Sequence, residues 1–337
     1  MIRPKSDPSL KNVGERGFLN QFLPDLAKRS SSSFLVPPGD DAAVLKQGSR
    51  PVLSVDGLTE GTHFKLTWAR KAERITGVPM GQLLGWKLMG CALSDLAAMG
   101  GATHRWAMIY LGAPGSTKLR FLKDFYQGVK EASTKMKCVL AGGDTVKAKQ
   151  LTLVASVGGM LGRTRALVRS GAEPGNLVCM AGTVGDATVG LGVLESHVRL
   201  PRSRSAYFVR RFFEHTPLFP QAEILSKERD VTSLIDLSDS VAESMGLICQ
   251  ASQVGSVLEI NNIPVSDEYA RLFHNGPQLL TGGEDYSLLF TLRPQAYERL
   301  RKKMSFSVVG LVVPKKNKTK FTWGGKPISA PHFFQHY

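Results

Sequence analysis

Between Arg169 and Gly175 the chain reads RSGAEPG, a Gly- and Pro-containing stretch that suits neither a helix nor a central strand. On both sides the sequence returns to strand-length apolar runs with helical patterns between them. Ahead of it lie PVLSVD (Pro51–Asp56), HRWAMIYLG (His104–Gly112), KCVLAGGD (Lys137–Asp144) and LTLVASVGGMLG (Leu151–Gly162). A helix expected from an N-cap at Thr117 turns Leu119, Leu122, Phe125, Tyr126 and Val129 to the core. Behind it come LVCMAG, a helix from about Asp186, SLIDLSD running into the helical SVAESMGLICQAS, then SVLEI, YSLLFTL and FSVVGLVV. Each half mixes strands and helices, so the stretch divides two α/β (α+β) domains, taken as residues 1–163 and 164–337.

The bulk composition agrees. At 337 residues the chain is long for one core, and 42% apolar with 21% charged residues is the balance of a folded protein. The amphipathic stretch Gly14–Ala27 (GERGFLNQFLPDLA) reads as a first helix, closed by the serine tract Ser30–Ser33. The N-terminus lacks the apolar region of a signal peptide, and no run approaches the roughly 18 residues that span a bilayer. A cytoplasmic protein with no membrane partner is expected. Cys91, Cys138, Cys179 and Cys249 are widely spaced in apolar surroundings and read as reduced core thiols. The net charge of +15 favours anionic partners. Its basic segments, such as Arg202–Arg211 and Pro314–Lys320, come with no recognisable nucleic-acid motif, so no nucleic-acid partner is expected.

The acidic residues carry the chemistry. Asp56 and Asp144 follow strand-like runs, Asp236 and Asp239 fall in SLIDLSD, Asp95 lies in LSDLAAMGG, and Asp40 and Asp41 stand side by side in PPGDDAAV. The ends of strands in an open α/β sheet point into its ligand crevice, so these carboxylates can converge. An Asp after a strand is equally a common helix cap or turn residue. As a set they imply several Mg2+ ions and a polyphosphate, because Mg2+ takes one or two carboxylates with phosphate oxygens and water. Cations lying against them would also explain why Asp40 and Asp41 tolerate each other. Gly142 and Gly143 precede Asp144, and Gly282 and Gly283 precede Glu284, which suits close approach of a bulky ligand. No P-loop or protein-kinase signature is present. His63 in EGTHF is a candidate base or ligand, or simply a histidine bonded at a strand end.

Taken in order, VGERGFL, GDDAAV, SVDGLTEGTHF, LSDLAAMGG, AGGDT, RSGAEPGN, AGTVGDATVGL, IDLSDS and TGGEDYSLLF are similar to the motifs of the thiamine-monophosphate kinases. That family belongs to the superfamily of aminoimidazole ribonucleotide synthetase and selenophosphate synthetase. The resemblance covers nearly the whole chain, and EGTHF, SDLAAMG and GGEDY point to this kinase over its relatives. It implies a two-domain aminoimidazole ribonucleotide synthetase-like fold, a homodimer paired through the first domains, and ATP-dependent phosphorylation of thiamine monophosphate by direct in-line transfer. Carried over by position, Asp40, Ser54, the Val55 carbonyl, Asp56, Asp95, Asp144, Asp236 and Asp239 are metal-site residues. Tyr126, Gly143, Asp144, Arg169 and Ser238 are ATP contacts, and His63 and Glu284 are substrate contacts. No side-chain nucleophile is implied; several Mg2+ ions are, with a role for K+ left open.

The chain departs from the family pattern at Ser240 (usually Gly), Asn176 (usually Asp), Gln221 (where Arg is expected) and Ala330 (near a stacking aromatic). Lys65–Met80 is extra sequence without an assigned role. Selenophosphate synthetase is disfavoured because its N-terminal reactive cysteine has no counterpart. A same-fold enzyme with another acceptor, and a lapsed nucleotide-binding homologue, are the alternatives.

Overall fold

A computed structural model describes residues 34–36, 40–45, 50–162, 165–317 and 319–328. The expected Gly14–Ala27 helix, the serine tract, the 163/164 border and Ala330 lie outside the described residues. In chain order the first half forms β1 (Phe34–Val36), β2 (Ala43–Leu45), β3 (Pro51–Thr59), α1 (Ala69–Thr76), α2 (Met80–Ala98), β4 (Thr103–Ala113), α3 (Leu119–Lys135), β5 (Cys138–Lys147) and β6 (Thr152–Met160). These strands make a mixed sheet in the order β1-β2-β3-β6-β4-β5, with only the β4–β5 pair parallel.

Strand alternation gives this sheet two unlike faces. Asp56 pairs with Ala155, which pairs with Ile109, so Ser54, Asp56 and Leu58 share the buried face with Leu153, Ala155, Val157, Ala107 and Leu111. The intervening residues Val55, Met108, Tyr110 and Val139 stand exposed on the other face. Helix α2 covers the buried face and is itself buried along most of its length. Helix α3 packs on α2 backbone to backbone: a Cβ on Gly85 would meet the Phe125 carbonyl at 2.1 Å, and one on Gly128 the Gln82 carbonyl at 2.0 Å. That approach corrects the expected core face of α3. Phe125 and Val129 are buried, but Leu119 is 74% exposed and Tyr126 points outward. The N-cap is Lys118, not Thr117, whose N–H instead closes a turn on Pro114.

The second half forms β7 (Leu177–Ala181), α4 (Asp186–Leu194), α5 (Arg202–Phe213), α6 (Phe219–Lys227), β8 (Val231–Asp236), α7 (Val241–Ser252), β9 (Val254–Glu259), α8 (Asp267–Ala270), β10 (Leu288–Leu292), α9 (Tyr297–Arg301), β11 (Ser307–Pro314), β12 (Thr319–Trp323) and β13 (Lys326–Ile328). Its sheet runs β13-β12-β9-β11-β7-β10-β8. All four cysteines are buried and free, as expected for core thiols. Among the described residues no helix is long and apolar enough to cross a membrane.

The halves share a core. One apolar cluster runs from Leu84 and Leu88 on α2 to Phe212, Phe213, Leu288 and Phe290. The boundary peptide is tied to both sides: Leu167 N–H donates to the Met99 carbonyl, and the Val168 carbonyl accepts from Leu234 N–H. The extra segment Lys65–Met80 acquires a role here. Its Trp68 packs edge-on against Phe212, Lys65 pairs with Glu195 at 2.7 Å, Lys71 donates to the Leu194 carbonyl, and the Thr76 carbonyl accepts from Arg210. It clamps the first half onto α4 and α5.

Candidate active site

Asp56 comes from the middle of β3, Asp95 from the last turn of α2, Asp236 from the end of β8, and Asp40 and Asp41 from the approach to β2. Asp56 and Asp144 were expected after their strands; both lie inside them, because β3 and β5 continue through the Asp-Gly and Gly-Gly-Asp steps. Asp95 accepts the Ser54 hydroxyl, and Asp236 accepts the Ser94 hydroxyl at 2.6 Å. Asp40 accepts the backbone N–H of Asp41 at 2.9 Å and of Arg169 at 3.0 Å. The Arg169 guanidinium forms a close ion pair with Asp41 and lies 3.8 Å from Asp40. A side-chain cation therefore accompanies the adjacent carboxylates, beside which the sequence reading expects divalent cations as well.

One guanidinium does not balance the cluster. Burial pushes the Asp41 carboxyl up to about 8 against the pull of Arg169, with Asp236 and Asp40 adding repulsion. Burial likewise pushes Asp236 to about 6 despite the Ser94 bond and Arg169, with Asp56 and Asp239 opposing its charge. Asp95 is raised well above the usual range by burial, then by Asp236, Asp56 and Asp41. Asp41 Oδ2 is buried without a hydrogen-bond partner. Among the described residues no three ligating side chains close on one point. A surplus of carboxylate oxygen, hydroxyl support and an orphaned buried oxygen fit a hard, oxygen-seeking cation such as Mg2+.

Other expected site residues are placed differently. Asp144 pairs with Tyr110, putting it on the exposed sheet face, opposite to Asp56; its Oδ1 accepts the Thr145 N–H at 2.8 Å. Val55 sits in the β3–β6 ladder opposite Ser156 with its side chain outward. Tyr126 lines a shallow groove of about 430 Å³ on α3, with Leu119, Leu122, Lys123, Gln127 and Lys130. That stretch of α3 packs on the N-terminal half of α2, whereas Asp95 lies near its C-terminus. His63 Nδ1 accepts the Thr59 N–H at 3.1 Å, which places its proton on Nε2 and matches the strand-end reading. Ser238 and Asp239 form the turn after β8. Gly143 and Gly282 are required by packing, since a Cβ on Gly143 would strike the Ile109 carbonyl at 2.1 Å and one on Gly282 the Thr188 hydroxyl at 2.0 Å, whereas Gly142, at φ 154, has open space where its Cβ would be.

The GGEDY turn faces the Ser238 loop. Glu284 adopts φ 65 and donates its N–H to the Ser238 carbonyl at 2.8 Å. Its carboxylate meets Lys87 at 3.0 Å. Asp285 caps α4, accepting from Gly185 N–H at 2.7 Å and Ala187 N–H at 3.0 Å, and burial pushes it to about 7. The Tyr286 hydroxyl donates to Cys91 Sγ, and its ring stacks on His215 at 3.8 Å. Of the departures, Ser240 caps α7 through Glu243 N–H, as its position suggested. Asn176 accepts from Glu173 N–H and the Thr232 hydroxyl, a structural bond. Gln221 lies in the first turn of α6. Sequence reasoning missed Lys87, Ser94 and Asp285. Asp285 and Ser94 carried a signal, their places in GGEDY and LSDLAAMGG; Lys87 carried none.

The family model for AIR synthase related protein, N-terminal domain, matches residues 39–163. The chain is 30% identical to a thiamine-monophosphate kinase of Synechococcus elongatus, over 86% of this chain and 85% of the relative. It is 33% identical to that of Escherichia coli, over 75% of each. The solved structure of AaThiL complexed with AMPPCP and TMP superimposes with a TM-score of 0.80 at 26% identity, covering 99% of this chain and all of the other.

Proposed function

The chain belongs to the thiamine-monophosphate kinase family, and from that premise we propose that it transfers the γ-phosphoryl group of ATP to thiamine monophosphate, giving thiamine diphosphate and ADP. The observation that carries the reading is the over-charged carboxylate cluster around Arg169, between the two sheets. A phosphate oxygen of the acceptor attacks the γ-phosphorus, and the bond to the bridging oxygen of ADP breaks in line. The protein's task is positioning and charge management, which needs no nucleophilic side chain.

Asp40, Asp56, Asp95, Asp236 and Asp239, with Ser54 and the Val55 carbonyl, hold Mg2+ ions, which when bound neutralise polyphosphate charge. Arg169 spaces Asp40 from Asp41 and presents a guanidinium toward ATP, with Ser238 nearby on the turn after β8. The assignments of Asp144, Gly143 and Tyr126 to metal and nucleotide rest on motif position alone: Asp144 and Tyr126 lie on faces turned away from the cluster, while Gly143, in register with Ile109 on the inner face, has no side chain to offer. His63 and Glu284 contact the acceptor. The division into residues 1–163 and 164–337 is supported by the family match ending at residue 163. A homodimer paired through the first domains is supported by the exposed apolar row Val55, Met108, Tyr110 and Val139, and a cytoplasmic location by the four free thiols.

The test is a product assay: ATP and Mg2+, with and without K+, with thiamine, thiamine monophosphate or an aminoimidazole precursor as acceptor. Thiamine diphosphate formed from thiamine monophosphate is the expected product. Tight ATP binding by calorimetry with no thiamine diphosphate formed rejects the kinase reading and favours a nucleotide-binding role.

A further inference from the structure

We propose that Lys87 is a positioning residue for the acceptor substrate, acting through Glu284. The proposal rests on the reading of Glu284 as an acceptor contact. Lysine is almost never fully buried unless paired, and Lys87 on α2 is 0% exposed. Its Nζ lies 3.0 Å from Glu284 Oε1 and donates to the Phe212 carbonyl at 3.0 Å, 3.7 Å from the centre of the Phe212 ring. Glu284, by contrast, is 27% exposed at its side chain. One carboxylate oxygen is thus pinned from behind by a cation that solvent does not reach, while the group itself stays partly open to solvent.

The backbone beneath is fixed as well. Glu284 holds the left-handed conformation and bonds to Ser238, next to Asp239. Lys87 belongs to the first half and Glu284 to the second, so the pair sets the carboxylate's orientation relative to the cluster that handles ATP. A carboxylate so oriented suits the cationic heteroaromatic ring of a thiazolium phosphate. Loss of Lys87 lets it rotate toward other partners and weakens recognition of that cation, leaving the nucleotide side unchanged.

The experiment is a double-mutant cycle of Lys87→Met and Glu284→Gln, read as separate KM values for thiamine monophosphate and ATP. Each single variant is expected to raise the KM for thiamine monophosphate about tenfold and to keep the KM for ATP within about twofold. The double variant should add less than about twofold to either single, because Lys87 works through Glu284. Since Glu284→Gln alone strands the buried Lys87 ammonium, Lys87→Met/Glu284→Met removes both charges and serves as the folded comparison. An unchanged KM for thiamine monophosphate in a folded variant, or equal losses toward both substrates, overturns the proposal, as do additive single effects. If the wild type binds thiamine monophosphate without turnover, the kinase reading falls and the same cycle is read as Kd by calorimetry. No binding by the wild type overturns both.

Discussion

Two buried acidic sites lie between the sheets, and they differ in how their charge is met. Around Arg169, Asp40 and Asp41 share a single guanidinium, and Asp236, Asp95 and Asp56 repel one another nearby, with the Ser54 hydroxyl on Asp95 and the Ser94 hydroxyl on Asp236. At the GGEDY turn one carboxylate, Glu284, has an ammonium of its own. The first site gathers more carboxyl groups than its one guanidinium can pair, and burial with mutual repulsion raises the Asp41, Asp95 and Asp236 pKa values; at the second, one carboxylate meets one ammonium. Charge left uncompensated by the fold marks where a cationic ligand is required; charge compensated by the fold marks where orientation is the task.

The sharpest way to break this contrast is Asp56→Asn or Asp236→Asn. Phosphorylation is expected to fall at least about 100-fold, while the metal-free protein melts no lower than wild type because one repulsive charge is gone. Activity within a few-fold of wild type would remove the cluster from the reaction.

Next in size is the pH dependence of stability without divalent ions. Both Asp236 and Asp41 have raised carboxyl pKa values, so the folded state holds more protons than the unfolded state above about pH 4. The stabilisation is fully present below that pH and is lost as pH rises through about 6 for Asp236 and about 8 for Asp41. Asp236 alone corresponds to roughly 3 kcal/mol. Melting curves should therefore show stability falling from pH 5 to 8.5, and Mg2+ raising the melting temperature more at pH 8.5 than at 5.5. An equal Mg2+ effect at both values would mean that the cluster does not take the ion.

Arg169→Met tests the guanidinium. Urea denaturation at pH 8 should show a loss of about 2 kcal/mol, and a smaller loss at pH 5 where more of the carboxylates are protonated. The smallest effect is at Ser240→Gly. Exchange of this cap for Gly should cost only a few tenths of a kcal/mol in the same denaturation assay, with ATP affinity nearly unchanged by calorimetry.

Strand content was legible because the apolar runs at Pro51, His104, Leu177 and Tyr286 are short and bounded by turn residues. The ends were less so: β3 and β5 continue through Asp56-Gly57 and Gly143-Asp144, where small and acidic residues resemble a strand terminus. The acidic members of the cluster could be gathered from their motifs, but sequence adjacency hid that Arg169 crosses to meet Asp40 and Asp41. Lys87 was invisible for a different reason. It is a lone cation in the apolar helix GQLLGWKLMGCALSDLAA, and its partner is fixed only by tertiary packing. Tyr126 and Leu119 were misplaced because glycines let α3 sit so close to α2 that a narrower stripe is buried.

Helix α2 is made early in synthesis, yet what it must pair with arrives late. Ser94 waits for Asp236, and Lys87 for Glu284, about 200 residues further along the chain. At roughly 5–20 residues per second on the ribosome, an interval on the order of 10–40 seconds separates the emergence of Lys87 from that of its counter-charge. Throughout it, the newborn first half carries an apolar helix face with no second sheet to cover it. Until the GGEDY turn emerges that face stays open to other apolar surfaces, and a chain stopped before the second sheet lacks the Phe212, Phe213, Leu288 and Phe290 side chains that cover it.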